Sequence, residues 1–507
     1  MSNNFFITTP IYYVNDVPHI GHAYTSIATD FIARFKRMSG VDTIFLTGTD
    51  EHGQKIQKAA ENNSIEPLSL CDKNSAKFRE LTEVLNLSND DFIRTTEKRH
   101  IDGAKSLWNK LMDNGDIYLD TYKGWYSVSD ETFYNEKDLN KQQDGSFKTI
   151  TGGPVDWIEE ESYFFKLSKY SEKLLELYEK NPDFILPKSR KNEVVSFVKS
   201  GLRDLSISRN TFNWGINVPK DDKHVMYVWL DALSSYPNSL GYIEDKNSKL
   251  SSYWLNSTHI VGKDILRHHA VYWPAFLMSA KLDLPKRIFA HGWWTNEGNK
   301  ISKSLGNAID PIEIIDKFGL DQIRYFLLRE ITFGSDGDFS IDALKSRINA
   351  DLSNDLGNLC QRSLTMIVKH CDATIPSNKN VSESDKKFLS EISNELSILT
   401  THVNNQEINI YIKKLWDIIA SANKYFNDSK PWELKNTDKK NFDNVLYVTA
   451  DIIKQIGIMI YPVMPDTSIK ILNFYNIKSK NISLNMLSFD LANTKINEIK
   501  PLFPRVE

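Results

Sequence analysis

The sequence predicts a parallel α/β sheet, an insertion with a small fold of its own, and an all-α C-terminal bundle. Three observations predict it. Strand-like and helix-like segments alternate over residues 1–115 and again over 223–345. Residues 116–222 break that rhythm with aromatics, turn residues and short strand patterns. From 346 to 507, leucine and isoleucine recur at spacings of three and four, the period of a buried helix face.

In chain order, FFITTPIYYV reads as a buried strand and AYTSIATDFIARFKRMSG as a helix ending at Gly40. VDTIFLTGTDEHG is a second strand running into a polar loop. Strand, helix, strand at this spacing is a βαβ unit of a parallel sheet. Ligands of such sheets collect at the carboxyl ends of the strands, and VPHIGH and GTDEHG both lie there. The insertion begins near DTYKGWYSVSDETFY. The α/β pattern resumes with HVMYVWLDALSSY, STHIVGKDILRHHAVYWPAFLMSA and RIFAHGWWTNEGNKISKSLGN. LSNDLGNLCQRSLTMIVKH and NVLYVTADIIKQIGIMIYPVMP carry the helical period of the bundle.

A length of 507 residues suggests two to four domains. The net charge of −4 gives no global field for nucleic acid, so any such surface is a local patch. Cys71, Cys360 and Cys371 are the whole complement of cysteine, too sparse for a disulfide framework and in keeping with a reducing cytoplasm. The N-terminus lacks the basic region of a secretory signal. Stretches such as AVYWPAFLMSA are too short to span a bilayer.

Two short stretches carry the chemistry. In VPHIGHAY, His19 and His22 flank Gly21 at a strand-to-helix turn. Unpaired backbone N–H groups and the macrodipole favour an anion at a helix N-terminus. Gly21 lets a ligand approach the backbone, and histidines three apart share a helical face. Taken alone, the stretch reads equally well as two surface histidines at a cap. In EGNKISKSLGN, Lys300 and Lys303 flank Ser302 between glycines, so two ammonium groups can close on a polyphosphate. Taken alone, that loop reads as a solvated basic loop.

Together the two stretches, about 280 residues apart, resemble the signature pair of class I aminoacyl-tRNA synthetases, with KISKS in place of the commoner KMSKS. Within that class the chain resembles the methionyl-tRNA synthetase family over essentially its whole length. TTPIYYVNDVPHIGHAY, TGTDEHGQKI, YVWLDAL, GKDILRHHAVYWPA and KPWELK carry the resemblance. It implies a Rossmann-type catalytic domain split by a connective insertion, then an anticodon-binding helix bundle. It also implies formation of methionyl-adenylate from methionine and Mg-ATP, then transfer to the terminal ribose of the methionine tRNAs, the initiator included.

The resemblance assigns ATP contacts to His19, Gly21, His22, Gly262, Asp264, Lys300, Ser302 and Lys303. His19, His22, Lys300 and Lys303 would stabilise charge on the transferring phosphate. Asn15 and Arg209 match active-site positions without a defined role. For methionine it assigns Ile11, Tyr13, Asp50, Trp229, Ala232, Leu233, Tyr236, Ile265, His269 and Trp273. Trp229, Ala232, Leu233 and Tyr236 fall on one helical face, and Ile265, His269 and Trp273 on a second. Such stripes are also what an ordinary core requires. Aromatic contact suits a thioether, at about 0.3–1.5 kcal/mol each, and Asp50 would accept the substrate ammonium. Asn358, Arg362 and Trp432 would read the CAU anticodon by edge hydrogen bonds and stacking.

Many relatives carry a zinc knuckle of CxxC pairs in the insertion. Here Ser127 and Asp130 stand at one such pair, and no cysteine lies between Cys71 and Cys360. No structural zinc is expected, because thiolate ligands are missing. The insertion must hold by packing, with Trp125, Tyr126, Phe133, Tyr134 and Trp157 as candidates. Some relatives append a C-terminal tRNA-binding and dimerisation domain, whereas this sequence ends soon after the helical region, at Glu507, so a cytoplasmic monomer is expected. Synthetases for leucine, isoleucine and valine need a large editing insertion, and the cysteine enzyme needs zinc ligands. A small nucleotidyltransferase has no use for the bundle. A relict RNA-binding scaffold would be free to lose HIGH, KISKS and Asp50.

Overall fold

The computed structural model describes every residue except 1–2, 16, 129–131, 135, 151, 297–298, 301–308 and 479–480. The chain forms two compact units, one from residues 1–18 and 43–291, the other from 19–42 and 292–507.

The first unit is built on a six-stranded sheet. Its strands are β1 (Asn4–Tyr13), β2 (Asp42–Asp50), β3 (Asp91–Arg94), β4 (Ile185–Leu186), β5 (Ser257–Gly262) and β6 (Arg287–His291), in the order β3-β2-β1-β5-β6-β4. The β1–β5, β5–β6, β6–β4 and β2–β3 pairs are parallel. A parallel sheet is covered on both faces, so β1 reads as a nearly continuous buried run rather than an alternating one. Its threonines are satisfied across the sheet. Thr8 Oγ1 lies 2.9 Å from His259 Nδ1, and Thr9 Oγ1 lies 2.7 Å from Thr47 Oγ1. The strand order reverses at β1, with β2 on one side and β5 on the other. Carboxyl ends at such a reversal form the ligand crevice of open α/β sheets. Tyr13, Asp50 and Gly262 end these three strands.

Within residues 116–222 the strands Ile117–Ser127, Thr132–Tyr134, Asp156–Phe165 and Leu205–Ser206 make a separate antiparallel sheet. Trp125 meets Trp157 edge-on at 5.3 Å and Phe147 at 4.9 Å. Trp157 remains 57% exposed, so it packs on one face only. Tyr126 is buried and Tyr134 half-buried. The Phe133 side chain and Asp130 lie outside the described residues.

Seven of the helices position the candidate residues or brace those that do: α1 (Ile20–Met38), α2 (Lys98–Asp113), α3 (Val228–Ser239), α4 (Leu320–Arg329), α5 (Asn358–His370), α6 (Ile408–Asp428) and α7 (Lys439–Met459). The second unit contains α1 and α4 to α7. Helix α1 stops before Gly40, whose φ of 76° suits a residue without Cβ. Phe31 and Phe35 of α1 pack edge-on against Tyr411 of α6 at 5.1 and 5.7 Å. Met38 is buried with Ile458, Leu472 and Ile482.

A buried ion cluster locks α1 in this unit. Asp30 accepts from Arg34 Nε and from Arg324 Nη2 of α4, each at 2.7 Å. Arg324 also donates to the carbonyls of Val463 at 2.9 Å and Pro462 at 3.0 Å. Arg34 Nη1 reaches the Tyr461 hydroxyl at 2.9 Å. Burial lowers the pKa of the Arg324 guanidinium below its usual value, partly offset by Asp30. Removing one partner of such a cluster leaves an uncompensated buried charge, at a cost of about 3–5 kcal/mol.

Candidate active site

At the start of α1 the histidines cap their own helix. His19 is the N-cap, and its Nδ1 accepts the Gly21 N–H at 3.1 Å. His22 Nδ1 accepts the His19 N–H at 3.1 Å. The arrangement is a capping box with imidazoles in both side-chain roles. A ring nitrogen that accepts carries no proton, so in a neutral imidazole the proton sits on Nε2. Both rings, with centroids 3.9 Å apart, therefore have an Nε2–H donor. A Cβ on Gly21 would meet His19 Cε1 at 2.9 Å. The glycine thus makes room for the His19 ring, in addition to any room it leaves for a ligand.

The Ile20 N–H donates to the Ile309 carbonyl at 3.2 Å, which joins the first turn of α1 to a residue just past the KISKS loop. Lys300 stands on the two-residue strand Asn299–Lys300, paired with Thr295 in a hairpin. Its side chain, like Ser302 and Lys303, lies outside the described residues.

The methionine-pocket candidates all belong to the first unit, and most share one apolar cluster. Ile11, Ala232, Leu233, Tyr236 and Trp273 are buried in it, with Tyr13, Trp229 and Ile265 packed against it. Helix α3 carries the first stripe. The second stripe is not the single α-helical face expected from its spacing. Lys263–Ile265 is 3₁₀, His268–Tyr272 is a π-helix, and Trp273–Ser279 is α-helical. The stripes meet through a polar chain. His269 Nδ1–H donates to the Ile265 carbonyl at 3.0 Å, so its Nε2 accepts the Tyr236 hydroxyl at 2.8 Å. Burial pushes the His269 imidazole down to about 4, only partly offset by that carbonyl. A neutral pair of this kind suits a thioether, which offers only a weak acceptor. Trp229 stacks on His268 at 3.8 Å, and Trp273 is enclosed against Trp254 at 6.2 Å.

Asp50, at the end of β2, is buried, and its charge is one of the influences that raise the Tyr236 phenol pKa after burial itself. The backbone around it is tightly pinned. Val14 N–H donates to the Asp50 carbonyl at 3.3 Å, and Asn74 Nδ2 to the Val14 carbonyl at 2.6 Å. Glu51, absent from the sequence-based candidates, is fully buried and ionically satisfied. Arg94 donates to it through Nε at 2.7 Å and Nη2 at 3.0 Å, and Thr96 Oγ1 at 2.6 Å. Sequence reasoning also passes over His52 and His100, which donate to the two oxygens of Asp231 at 2.7 and 2.5 Å. Burial would raise the Asp231 carboxyl, but the two imidazoles outweigh it and hold it at about 2. No local pattern signals these partners, because Asp231 lies 179 residues from His52.

Gly262 ends β5, and a Cβ there would meet Asp264 Oδ1 at 2.4 Å. Asp264 itself is exposed, and Asn15 is half-buried in the turn after β1. Arg209 is enclosed, its guanidinium 5.2 Å from the Tyr126 ring and 4.9 Å from that of Tyr227.

In the second unit, Asn358 and Arg362 are exposed on the first turns of α5. Trp432 is 42% exposed. The Arg362 guanidinium lies 5.8 Å from the Trp432 ring and 5.5 Å from Phe426, a second aromatic that no motif singles out. Lys430, at φ 44°, makes the left-handed turn into Pro431 and Trp432.

Among the described residues no group of three or more His, Cys, Asp or Glu could hold a metal ion. None of their helices is long and apolar enough to cross a membrane.

Similarity to known proteins runs through both units. Residues 5–364 match the family described as "tRNA synthetases class I (M)", and residues 375–490 the "Anticodon binding domain of methionyl tRNA ligase". A Rickettsia felis protein named methionine–tRNA ligase is 52% identical over 516 residues, spanning 100% of this chain and 99% of that protein. A Brucella suis protein of the same name is 51% identical over 503 residues, spanning 99% and 98%. Methionyl-tRNA synthetase of Mycobacterium tuberculosis, solved in complex with methionyl-adenylate, is similar at TM-score 0.96 and 46% identity, over 99% of this chain and 100% of that one. Its free-state form is similar at TM-score 0.90 and 43% identity, over 100% and 99%.

Proposed function

The chain belongs to the methionyl-tRNA synthetase family of class I, and from that premise we propose how its residues divide the work. The chain activates methionine with ATP and charges tRNA. The methionine carboxylate attacks the α-phosphorus of Mg-ATP, giving methionyl-adenylate and pyrophosphate. A hydroxyl of the terminal ribose then attacks the adenylate carbonyl, AMP leaves, and the hydroxyl proton is lost. His19, His22, Lys300 and Lys303 stabilise charge on the phosphates. Gly21, Gly262, Asp264 and Ser302 complete the nucleotide site. Ile11, Tyr13, Trp229, Ala232, Leu233, Tyr236, Ile265, His269 and Trp273 hold the side chain, and Asp50 the ammonium.

Residues 1–115 and 223–345 form the catalytic domain in this reading, with 116–222 as its insertion, of which Ile185–Leu186 returns to the main sheet as β4, and 346–507 reading the anticodon of the methionine tRNAs through Asn358, Arg362 and Trp432. The insertion holds without zinc, and the enzyme works as a cytoplasmic monomer. The observation that supports the phosphate site is the Ile20–Ile309 hydrogen bond, between the first turn of α1 and a residue just past the lysine loop in sequence.

Pyrophosphate exchange across the twenty amino acids tests the reading, with methionine alone expected to support a full rate. Lys303→Ala should lower that rate about 10²–10³-fold with little change in methionine affinity. Near-normal exchange would remove Lys303 from the chemistry. Trp432→Ala should spare adenylate formation. It should cut tRNA charging about 5–150-fold, the worth of one stacked base at roughly 1–3 kcal/mol. Equal damage to both steps would make Trp432 a packing residue of the bundle.

A further inference from the structure

We propose that Asp231 is a positioning residue that sets the separation between the ammonium site and the thioether pocket, by tying the Asp50–His52 loop to helix α3. The proposal rests on the reading of Asp50 as the ammonium acceptor.

Asp231 sits in the first turn of α3, between Trp229 and Ala232 of the pocket stripe. Its side chain leaves the pocket face and divides between two elements. Oδ2 takes the Nδ1–H of His52, two residues beyond Asp50. Oδ1 takes the Nε2–H of His100 on α2. The α2 end of the link is rigid, because α2 and α3 approach closely at a glycine. A Cβ on Gly103 would meet Asn238 Oδ1 of α3 at 2.1 Å, and Asn238 Nδ2 donates to the His100 carbonyl at 3.2 Å. The loop end is held on its other flank too. The His52 ring meets Trp214 at 5.5 Å, and the Trp214 indole donates to the Glu51 carbonyl at 2.5 Å.

A carboxylate is required at this point. Two N–H groups aim at two oxygens, and only an ionised acid accepts on both. An amide in its place would turn an N–H donor toward one imidazole, which must then change tautomer or swing away. Swinging His52 shifts Asp50 relative to α3, and a pocket out of register by a fraction of an ångström loses the benefit of binding both ends of one small substrate.

The test compares the full-length chain with Asp231→Asn and Asp50→Asn. Titration calorimetry gives the affinity of each for methionine and for 4-(methylthio)butanoate, which lacks the amino group. The parent should prefer methionine strongly. Both variants should lose at least tenfold of that preference, while the KM for ATP moves less than threefold. Loss in Asp50→Asn but not in Asp231→Asn would overturn the proposal and leave the Asp50 reading intact. Loss in neither would overturn both. A lowered melting temperature in Asp231→Asn with the preference unchanged would make the residue merely structural and also overturn the proposal. Should Asp231→Asn fail to fold, His52→Asn removes only the loop end of the link and gives the same comparison.

Discussion

Replacing His22 with glutamine is expected to slow methionine-dependent pyrophosphate exchange about 10²–10³-fold, the usual loss of one preorganised donor, with little change in melting temperature. Two roles of His22 separate here. As the third residue of α1, its Nδ1 accepts the His19 N–H and closes the capping box. Glutamine is a natural residue at that position and can close the same box. With its amide oxygen accepting the His19 N–H, its –NH2 hangs from a freely rotating chain and is not preorganised where the ring holds Nε2–H. His22→Ala should lose both roles, adding about 1 kcal/mol of lost cap stability to the kinetic defect. Exchange at the parental rate in both His22→Gln and His22→Ala would show that the ring meets no phosphate.

Mild acid is expected to destabilise the protein well above the carboxylate range. Three imidazoles of the first unit are buried and held neutral. Burial, reinforced by His269, lowers His259 and His268 well below their usual value, and burial lowers His269 to about 4. In the unfolded chain each titrates near 6.5. Between those values the unfolded state binds more protons, so stability is complete above about pH 6.5 and falls as the pH drops. Each group costs at most about 1.4 kcal/mol per pH unit, so the three together cost up to about 4 kcal/mol per unit. Asp231 does not share this window. Its depressed carboxyl stabilises the fold above about pH 4, and that contribution fades only toward pH 2. Urea unfolding midpoints between pH 7.5 and 5 measure the effect. A midpoint that stays level over that span would mean the imidazoles are protonated in the folded chain.

Most of this architecture is legible at short range. The first two strands of the main sheet announce themselves as largely apolar runs, and the HIGH and KISKS motifs are contiguous. What escapes is whatever depends on distant pairing. Glu51 gains its meaning from Arg94, and Asp231 from His52 and His100, partners that sequence spacing does not reveal. The spacing of Ile265, His269 and Trp273 does not put them on one α-helical face. Intervals of four also fit a chain that passes through 3₁₀, π and α turns in succession. In the sequence Phe426 looks like any bundle aromatic. Only the fold brings Arg362 within reach of both its ring and that of Trp432.

Helix α1 starts with the HIGH histidines and ends with Met38 under Ile458 and Leu472. Along its length, Asp30 and Arg34 are knotted to Arg324, Tyr461 and the carbonyls just past α7. Sequence order makes this helix part of the nucleotide fold, while its packing makes it a timber of the bundle. Trimming the chain before α6 would therefore do more than remove most of the stretch that matches an anticodon-binding domain. It would strip the floor from under Phe31 and Phe35, so the helix that presents His19 and His22 would lose its seat.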